Sequence, residues 1–301
     1  MKNDIYKLSN STDNILNFLL TLRRYQAYGE DAANYFDGKN FRKVFKSDDK
    51  HFLLSLQETN DSIALNLKPA TRSQTVWQQA EHIARKILGL DFPLEKFYQF
   101  VKSDAVLHEL TQKFRGFRPT LAANPFEMMV TSISAQQINL QFAFTVRSRL
   151  VRRYGEKLVV DGQTYYAFPT PEKLARVKVS SLRQLQFTEK KSEYIIGLSK
   201  AIRDGQLDLE ALSQQSDEEI TEKLIALRGI GRWTVDWFLA RCLGRGDAFP
   251  AGDLGVRKAV QHFYFNGKEK SEDELRKFSQ RWGEFANLAT HYLLTGVALG
   301  A

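Results

Sequence analysis

The stretch 224–259, LIALRGIGRWTVDWFLARCLGRGDAFPAGDLGVRKA, constrains the chain more than any other. It holds two short helical patterns separated by Gly229-Ile230-Gly231, then a Gly-rich connection, a Pro, and a lone acid, Asp253, that opens another helix. Glycine accepts positive φ and lets another backbone approach closely, so Gly-Ile-Gly between apolar-periodic segments signals a turn. A helix starting near Arg232 would point its free N–H groups out of that turn, a seat for a phosphate. Leu224, Leu227 and Ile230 on one side and Val235, Phe238 and Leu239 on the other would clamp the two helices together. Trp233 and Trp237 are four apart and share a helical face. For Gly-Ile-Gly alone, an ordinary interhelical turn is the favoured account.

The longer string LRGIGRWT, followed by DAFPAGDLGVRKA, resembles the helix-hairpin-helix DNA glycosylases. It is most similar to their 3-methyladenine DNA glycosylase II, or AlkA-like, type. The resemblance runs from about Pro125 to Tyr292 and more loosely over the N-terminal part. Phe-Pro-Thr-Pro at 168–171 is a further family-like signature. The family often reads W-x-P-x-R-S near its C-terminus with an aromatic residue in the next turn. This chain has Trp282-Gly283-Glu284-Phe285-Ala286-Asn287, with Leu294 at the aromatic position, so the far wall of the pocket departs from the pattern.

The 301 residues leave room for about two domains. With 26% charged and 43% hydrophobic residues and no apolar run long enough to span a bilayer, the composition predicts a soluble protein with no membrane role. Met1-Lys2-Asn3-Asp4 leads into no export signal, and the expected compartment is the cytoplasm, nucleoid-associated in a bacterium. One cysteine, Cys242, excludes an internal disulfide and a four-Cys metal or iron–sulfur site, and fits a small buried residue. A net charge of +8 suits a polyanionic partner.

Strand signals concentrate in the first 70 residues: a hairpin signal at Phe36-Asp37-Gly38-Lys39, alternating runs over 41–45, 51–56 and 62–67, and a turn at Glu58-Thr59-Asn60-Asp61. A helix is expected over 14–24. From Thr75 the period is helical, with Asn124-Pro125 and Asn139 opening helices, and capping boxes at Ser216–Glu219 and Ser271–Glu274. Residues 158–168 read as a loop or a hairpin, and 282–299 as one helix. The fold class is therefore mainly α. The resemblance makes it a helix-hairpin-helix glycosylase core of two helical subdomains preceded by a small antiparallel α+β domain. The expected limits are 1–92 for the α+β domain and 93–301 for the core, with subdomains 122–247, carrying the hairpin, and 93–121 plus 248–301.

Breaking an N-glycosidic bond passes through an oxocarbenium-like sugar, which a carboxylate beside it can stabilise while also activating water. Asp253 also has the residue type and position of an N-cap, and the two roles are compatible. The resemblance makes Asp253 the catalytic carboxylate and Trp233 and Trp237 the aromatic walls of a base pocket, with Phe18 and Leu294 as further lining. Two tryptophans at this spacing also suit a core. A cationic alkylpurine would be held on such a wall by cation–π attraction.

The resemblance places Gln137 at the family's wedge position, which fills the hole left by an extruded base. Gln136-Gln137 between Ile133 and Ile138 also reads as a plain turn. DNA contacts are expected from Gln136, Gln137, Gly229, Ile230, Gly231 and Thr234, and the carbonyls of Leu227 and Ile230 are implied to hold a monovalent cation. Arg147, Arg149, Arg152 and Arg153 crowd one helix, which is the pattern of a solvated face.

Lyase members carry a lysine where this chain has Trp233. The resemblance therefore implies a monofunctional hydrolase acting as a monomer on double-stranded DNA with alkylated bases. The five histidines show no zinc spacing and no nucleotide-binding loop is present, so no cofactor is expected. The alternatives are a glycosylase for a neutral lesion, 8-oxoguanine or hypoxanthine, and a non-catalytic helix-hairpin-helix DNA-binding module.

Overall fold

In the N-terminal third, apolar residues stand in adjacent pairs inside alternating runs, Val44-Phe45 and Leu53-Leu54 among them. Neighbours on a strand face opposite ways, so such pairs require a sheet covered on both sides. The computed structural model, which describes residues 6–9, 15–59 and 62–301, shows that sheet. Strands β1 (Tyr6–Ser9), β2 (Tyr35–Phe36), β3 (Asn40–Ser47), β4 (Lys50–Glu58) and β5 (Ser62–Lys68) pair antiparallel in the order β1-β5-β4-β3-β2. Phe45, Leu54, Leu56 and Leu65 pack with α1 (Phe18–Leu22) and α3 (Gln74–Leu88), between which lies the short α2 (Arg24–Ala27). Val44 and Leu53, paired across β3 and β4, meet Tyr165 and Ala167 on the opposite face.

That second cover comes from the hairpin β6 (Lys157–Val160) and β7 (Gln163–Tyr166). Strand structure is therefore not confined to the first 70 residues. Two more expectations are corrected. The first helix is two short pieces, α1 and α2, and the expected Asn14 start, like Asn60 and Asp61 of the 58–61 turn, lies outside the described residues. The last helix is interrupted: a 3-10 segment Gln280–Phe285 contains Gly283 at φ 48°, and a regular helix begins only after it.

The helical body comprises α4 (Leu94–Phe100), α5 (Ala105–Lys113), α6 (Pro125–Ala135), α7 (Leu140–Tyr154), α8 (Pro171–Leu174), α9 (Val179–Arg183), α10 (Glu189–Arg203), α11 (Asp217–Ile225), α12 (Arg232–Phe238), α13 (Leu254–Phe265), α14 (Glu272–Ser279) and α15 (Ala286–Leu299). Two apolar cores divide it. One gathers Val130, Leu150, Ile195, Leu224 and Val235 from α6, α7 and α10–α12; the other gathers Phe97, Leu107, Val260, Leu275 and Leu293 from α4, α5 and α13–α15. Trp237 packs against both, so the boundary between the cores runs through it.

Polar chemistry closes the joints. Arg118, buried, donates to the carbonyls of Ile15, Gly89 and Phe92. Arg147 on α7 leaves the solvated row expected for it: it is 2% exposed and binds Asp31 and Glu127, while Lys43 of β3 reaches Glu127 at 2.7 Å and Asn34 at 2.9 Å. Burial would push the Glu127 carboxyl up, but Lys43 and Arg147 together outweigh it and hold it below its ordinary value. This quartet joins the sheet domain to the helical body, and removing any one member would leave a buried charge uncompensated.

Candidate active site and nucleic-acid interface

The hairpin is built from local signals. Ser216 and Glu219 close a capping box at the start of α11, and α12 opens at Gly231, whose extended backbone makes it the N-cap. Between them Gly229 sits at φ +89°, and a Cβ there would lie 2.2 Å from the Tyr194 ring. Only glycine satisfies both demands. Gly229→Ala is expected to cost about 1–2 kcal/mol from φ alone, with the displacement of Tyr194 added to it. A melting curve together with a salt titration of duplex-DNA affinity checks this; a variant as stable and as tight-binding as wild type would contradict it.

After α12 the chain runs through one π-helical segment, Leu239–Leu243, to Gly244 at φ 71° and then to the turn before Asp253. Ala251 N–H donates to the Phe249 carbonyl at 2.8 Å and Asp253 N–H to that of Pro250 at 3.0 Å. Asp253 caps α13, its Oδ1 accepting from Val256 N–H at 3.0 Å. Its Oδ2 accepts from both indoles, Trp233 Nε1 at 2.9 Å and Trp237 Nε1 at 3.1 Å. A carboxylate offers about four lone-pair positions, and three are taken, which leaves one open on Oδ1. Beside that oxygen is Gly255, where a Cβ would stand only 3.1 Å away.

The carboxylate and both indoles line a cavity of about 320 Å³, together with Leu294, Leu140, Phe144, Arg24 and Arg241. The Arg241 guanidinium lies 5.6 Å from the centre of the Trp237 ring. The His291 ring meets Trp237 edge-on at 6.0 Å. Burial pushes His291 down to about 4, so at neutral pH its ring is uncharged and Nδ1, 2.9 Å from the Asn287 carbonyl, is the donor. Trp237 is thereby fixed on several sides, and Trp233 is left as the freer aromatic surface. The quartet of Asp31, Lys43, Glu127 and Arg147 also reaches the cavity wall, which carries four cationic side chains against three carboxylates. The sequence pattern assigns a place at the cavity to none of these residues, nor to Arg24 or Arg241, and Arg147 reads there only as part of a basic row.

The expected site residues divide. Asp253, Trp233, Trp237 and Leu294 come together. Phe18 does not join them: it is 1% exposed inside the core of the sheet domain, its ring 6.2 Å from that of Phe36, because the apolar side of α1 is needed to cover the sheet. Thr234 is 1% exposed, and its hydroxyl meets the Gln136 amide at 3.4 Å. Gln136 spends that amide inward, donating to the Gly229 carbonyl at 2.9 Å and tying the α6–α7 turn to the hairpin. Gln137, at φ 56°, is exposed at the apex of that turn. Gly231 is exposed, Ile230 is buried, and the Leu227 carbonyl accepts from Ile230 N–H at 3.1 Å. Burial pushes the Cys242 thiol up to about 12, which makes it an inert core group. Among the described residues no helix is long and apolar enough to cross a membrane.

Residues 130–284 match the HhH-GPD superfamily of base excision DNA repair proteins, and residues 21–129 match the 8-oxoguanine DNA glycosylase N-terminal domain. A DNA-3-methyladenine glycosylase of Bacillus subtilis is 34% identical over 72% of this chain and 72% of its own length. The solved 3-methyladenine DNA-glycosylase from Archaeoglobus fulgidus superposes with a TM-score of 0.88 at 27% identity, covering 98% of this chain and 99% of that one. The 8-oxoguanine glycosylase/lyase of Clostridium acetobutylicum in complex with double-stranded DNA, at 19% identity and a TM-score of 0.78 over 100% and 99% of the two chains, shares the fold. With a hairpin of this form and more than half its length matched, the chain belongs to the HhH-GPD superfamily of base excision DNA repair proteins.

Proposed function

We propose that this protein is a monofunctional DNA glycosylase, acting as a monomer, that hydrolyses the N-glycosidic bond of alkylated purines in duplex DNA and leaves an abasic site. The observation that carries the reading is the pair of indole N–H groups converging on one oxygen of Asp253 at the wall of a cavity large enough for a base. With Oδ2 saturated, Oδ1 is the oxygen that takes a proton from the attacking water. The hydroxyl goes to C1′ and the bonding pair leaves with the base. The negative charge of Asp253 stabilises the sugar cation between the two events. An alkylated, cationic purine departs neutral, so no strong general acid is required of the protein.

Trp233 offers the stacking surface for the extruded base and Gln137 the filling side chain. The hairpin backbone at Gly229, Ile230 and Gly231 meets the sugar-phosphate strand. The Leu227 and Ile230 carbonyls, neutral oxygen donors, would hold a monovalent cation; such an ion would supply charge neutralisation and nothing to the bond cleavage. With Trp233 at the position where lyase members carry their amine, no Schiff base forms at that position. The Bacillus subtilis relative's name supports the alkylpurine assignment.

One observation favours a second reading. Arg24 and Arg241 line the cavity, and guanidiniums suit a base edge rich in acceptors, as in hypoxanthine or 8-oxoguanine, better than a cationic ring. A lesion panel decides between them. Incubation with dimethyl-sulfate-treated DNA, followed by chromatography, is expected to release 3-methyladenine and 7-methylguanine without strand cleavage. Release of only the neutral lesions would transfer the assignment to the second reading. Salt-sensitive binding without release of any base would reduce the protein to a DNA-binding module.

A further inference from the structure

The back of α12 makes a second grip on the segment that carries Asp253. Asp236 is 3% exposed, and each of its oxygens takes a guanidinium: Oδ1 from Arg232 Nε at 2.8 Å and Oδ2 from Arg276 Nη2 at 2.9 Å. Arg276, on α14, also donates to Glu272 Oε1 at 2.8 Å and, through Nη1, to the Phe249 carbonyl at 3.4 Å. Phe249 is the first residue of the turn that ends at Asp253. Glu272 lies against the same turn, because a Cβ on Gly252 would be 3.1 Å from its Oε2. One guanidinium therefore joins three pieces of chain: α12, the first turn of α14, and the 249–253 turn. On α12, residue 236 adjoins the indole at 237 and follows the one at 233. The helix thus holds the turn from the front through Asp253 and from behind through Arg276.

We infer that Arg276 is a positioning residue for Asp253. By bridging Asp236, Glu272 and the Phe249 carbonyl it keeps the 249–253 turn at the distance from α12 at which both indoles reach Oδ2. A buried carboxylate that loses one of two cationic partners is strongly destabilised in place, so the turn relaxes away from α12 when the bridge is removed. Arginine is required because its planar fork serves three acceptors at once, which an ammonium on a flexible stem does not reproduce. The inference rests on the reading of Asp253 as the catalytic carboxylate.

Arg276→Gln and Arg276→Lys in the full chain test it, with three readouts below the melting temperature. These are single-turnover excision from a 7-methylguanine duplex at saturating protein, duplex affinity, and the indole N–H signals of the four tryptophans. Arg276→Gln is expected to slow single-turnover excision by about tenfold to a hundredfold, the scale of a small misplacement of a catalytic group. Duplex affinity should hold, the Trp233 and Trp237 signals should move, and the Trp77 signal should stay. Arg276→Lys should recover part of the rate, and it carries all three readouts if the glutamine variant does not fold. An unchanged single-turnover rate, or a loss wholly explained by weaker DNA binding, overturns the positioning role. If the wild-type protein excises no base, the proposed function fails separately, and the indole signals still decide: unmoved Trp233 and Trp237 signals overturn the inference and moved ones sustain it.

Discussion

Asp253→Asn is expected to slow base release by about two to three orders of magnitude, the scale set when a preorganised electrostatic group is removed from a transition state. The substitution keeps the size of the side chain and deletes its charge, so the sugar cation loses its counter-charge. Hydrogen bonding makes the loss worse. Every hydrogen bond of the Asp253 carboxylate is with a donor: two indole N–H groups on Oδ2 and the Val256 N–H on Oδ1. An asparagine brings an NH2 to one of those two positions, where it meets another donor. If the NH2 faces Val256, the cap on α13 goes, at about 1 kcal/mol; if it faces the indoles, two donors lose their acceptor. The melting temperature should therefore fall modestly while duplex affinity, which depends on the hairpin, is retained. Single-turnover excision at saturating protein separates these effects. Release at the wild-type rate would remove Asp253 from the chemistry and leave it as a helix cap only.

What could be foreseen from the sequence is what adjacent residues decide. Both capping boxes, the Asn124-Pro125 helix start and the Asn139 cap form as their local chemistry requires. The Asp253 cap and the Gly229 turn are local in the same sense. The β6–β7 hairpin carried a legible signal that the reading of 158–168 as a loop or a hairpin underused: Asp161-Gly162, both at positive φ (50° and 78°), form the two-residue turn that Asp-Gly favours. Other features depend on partners far along the chain. Arg147 reads as one more basic residue of a surface row, and Asp31, 116 positions away, together with Glu127 makes it a buried clasp. Phe18 is similarly decided by the sheet that its helix covers and not by its place in a motif. The contact between the Thr234 hydroxyl and the Gln136 amide is of the same kind, since it joins the hairpin to the α6–α7 turn across 98 positions.

Phenylalanine at 233 and at 237 separates the two jobs the indoles can have. It keeps an aromatic face and removes the N–H that reaches Asp253 Oδ2. A hydrogen bond to a charged group is worth about 1.5–3 kcal/mol, and a carboxylate released from it samples orientations away from the sugar. If holding Asp253 is the main task, Trp233→Phe and Trp237→Phe should each slow excision by about tenfold or more, equally for cationic and neutral bases, since the defect lies in the carboxylate. Trp233→Ala removes the face as well, and cation–π attraction of about 1 kcal/mol predicts a further loss for cationic 7-methylguanine that hypoxanthine does not share. Trp237→Ala should show no such difference, because Arg241, 5.6 Å from its ring centre, already occupies that kind of contact. Equal losses for both bases in Trp233→Ala would leave the indole as a clamp on the acid and remove it as a sensor of base charge. Wild-type rates in both phenylalanine variants would mean that the Val256 cap alone fixes Asp253, and that the convergence of the two indoles on one oxygen plays no part in catalysis.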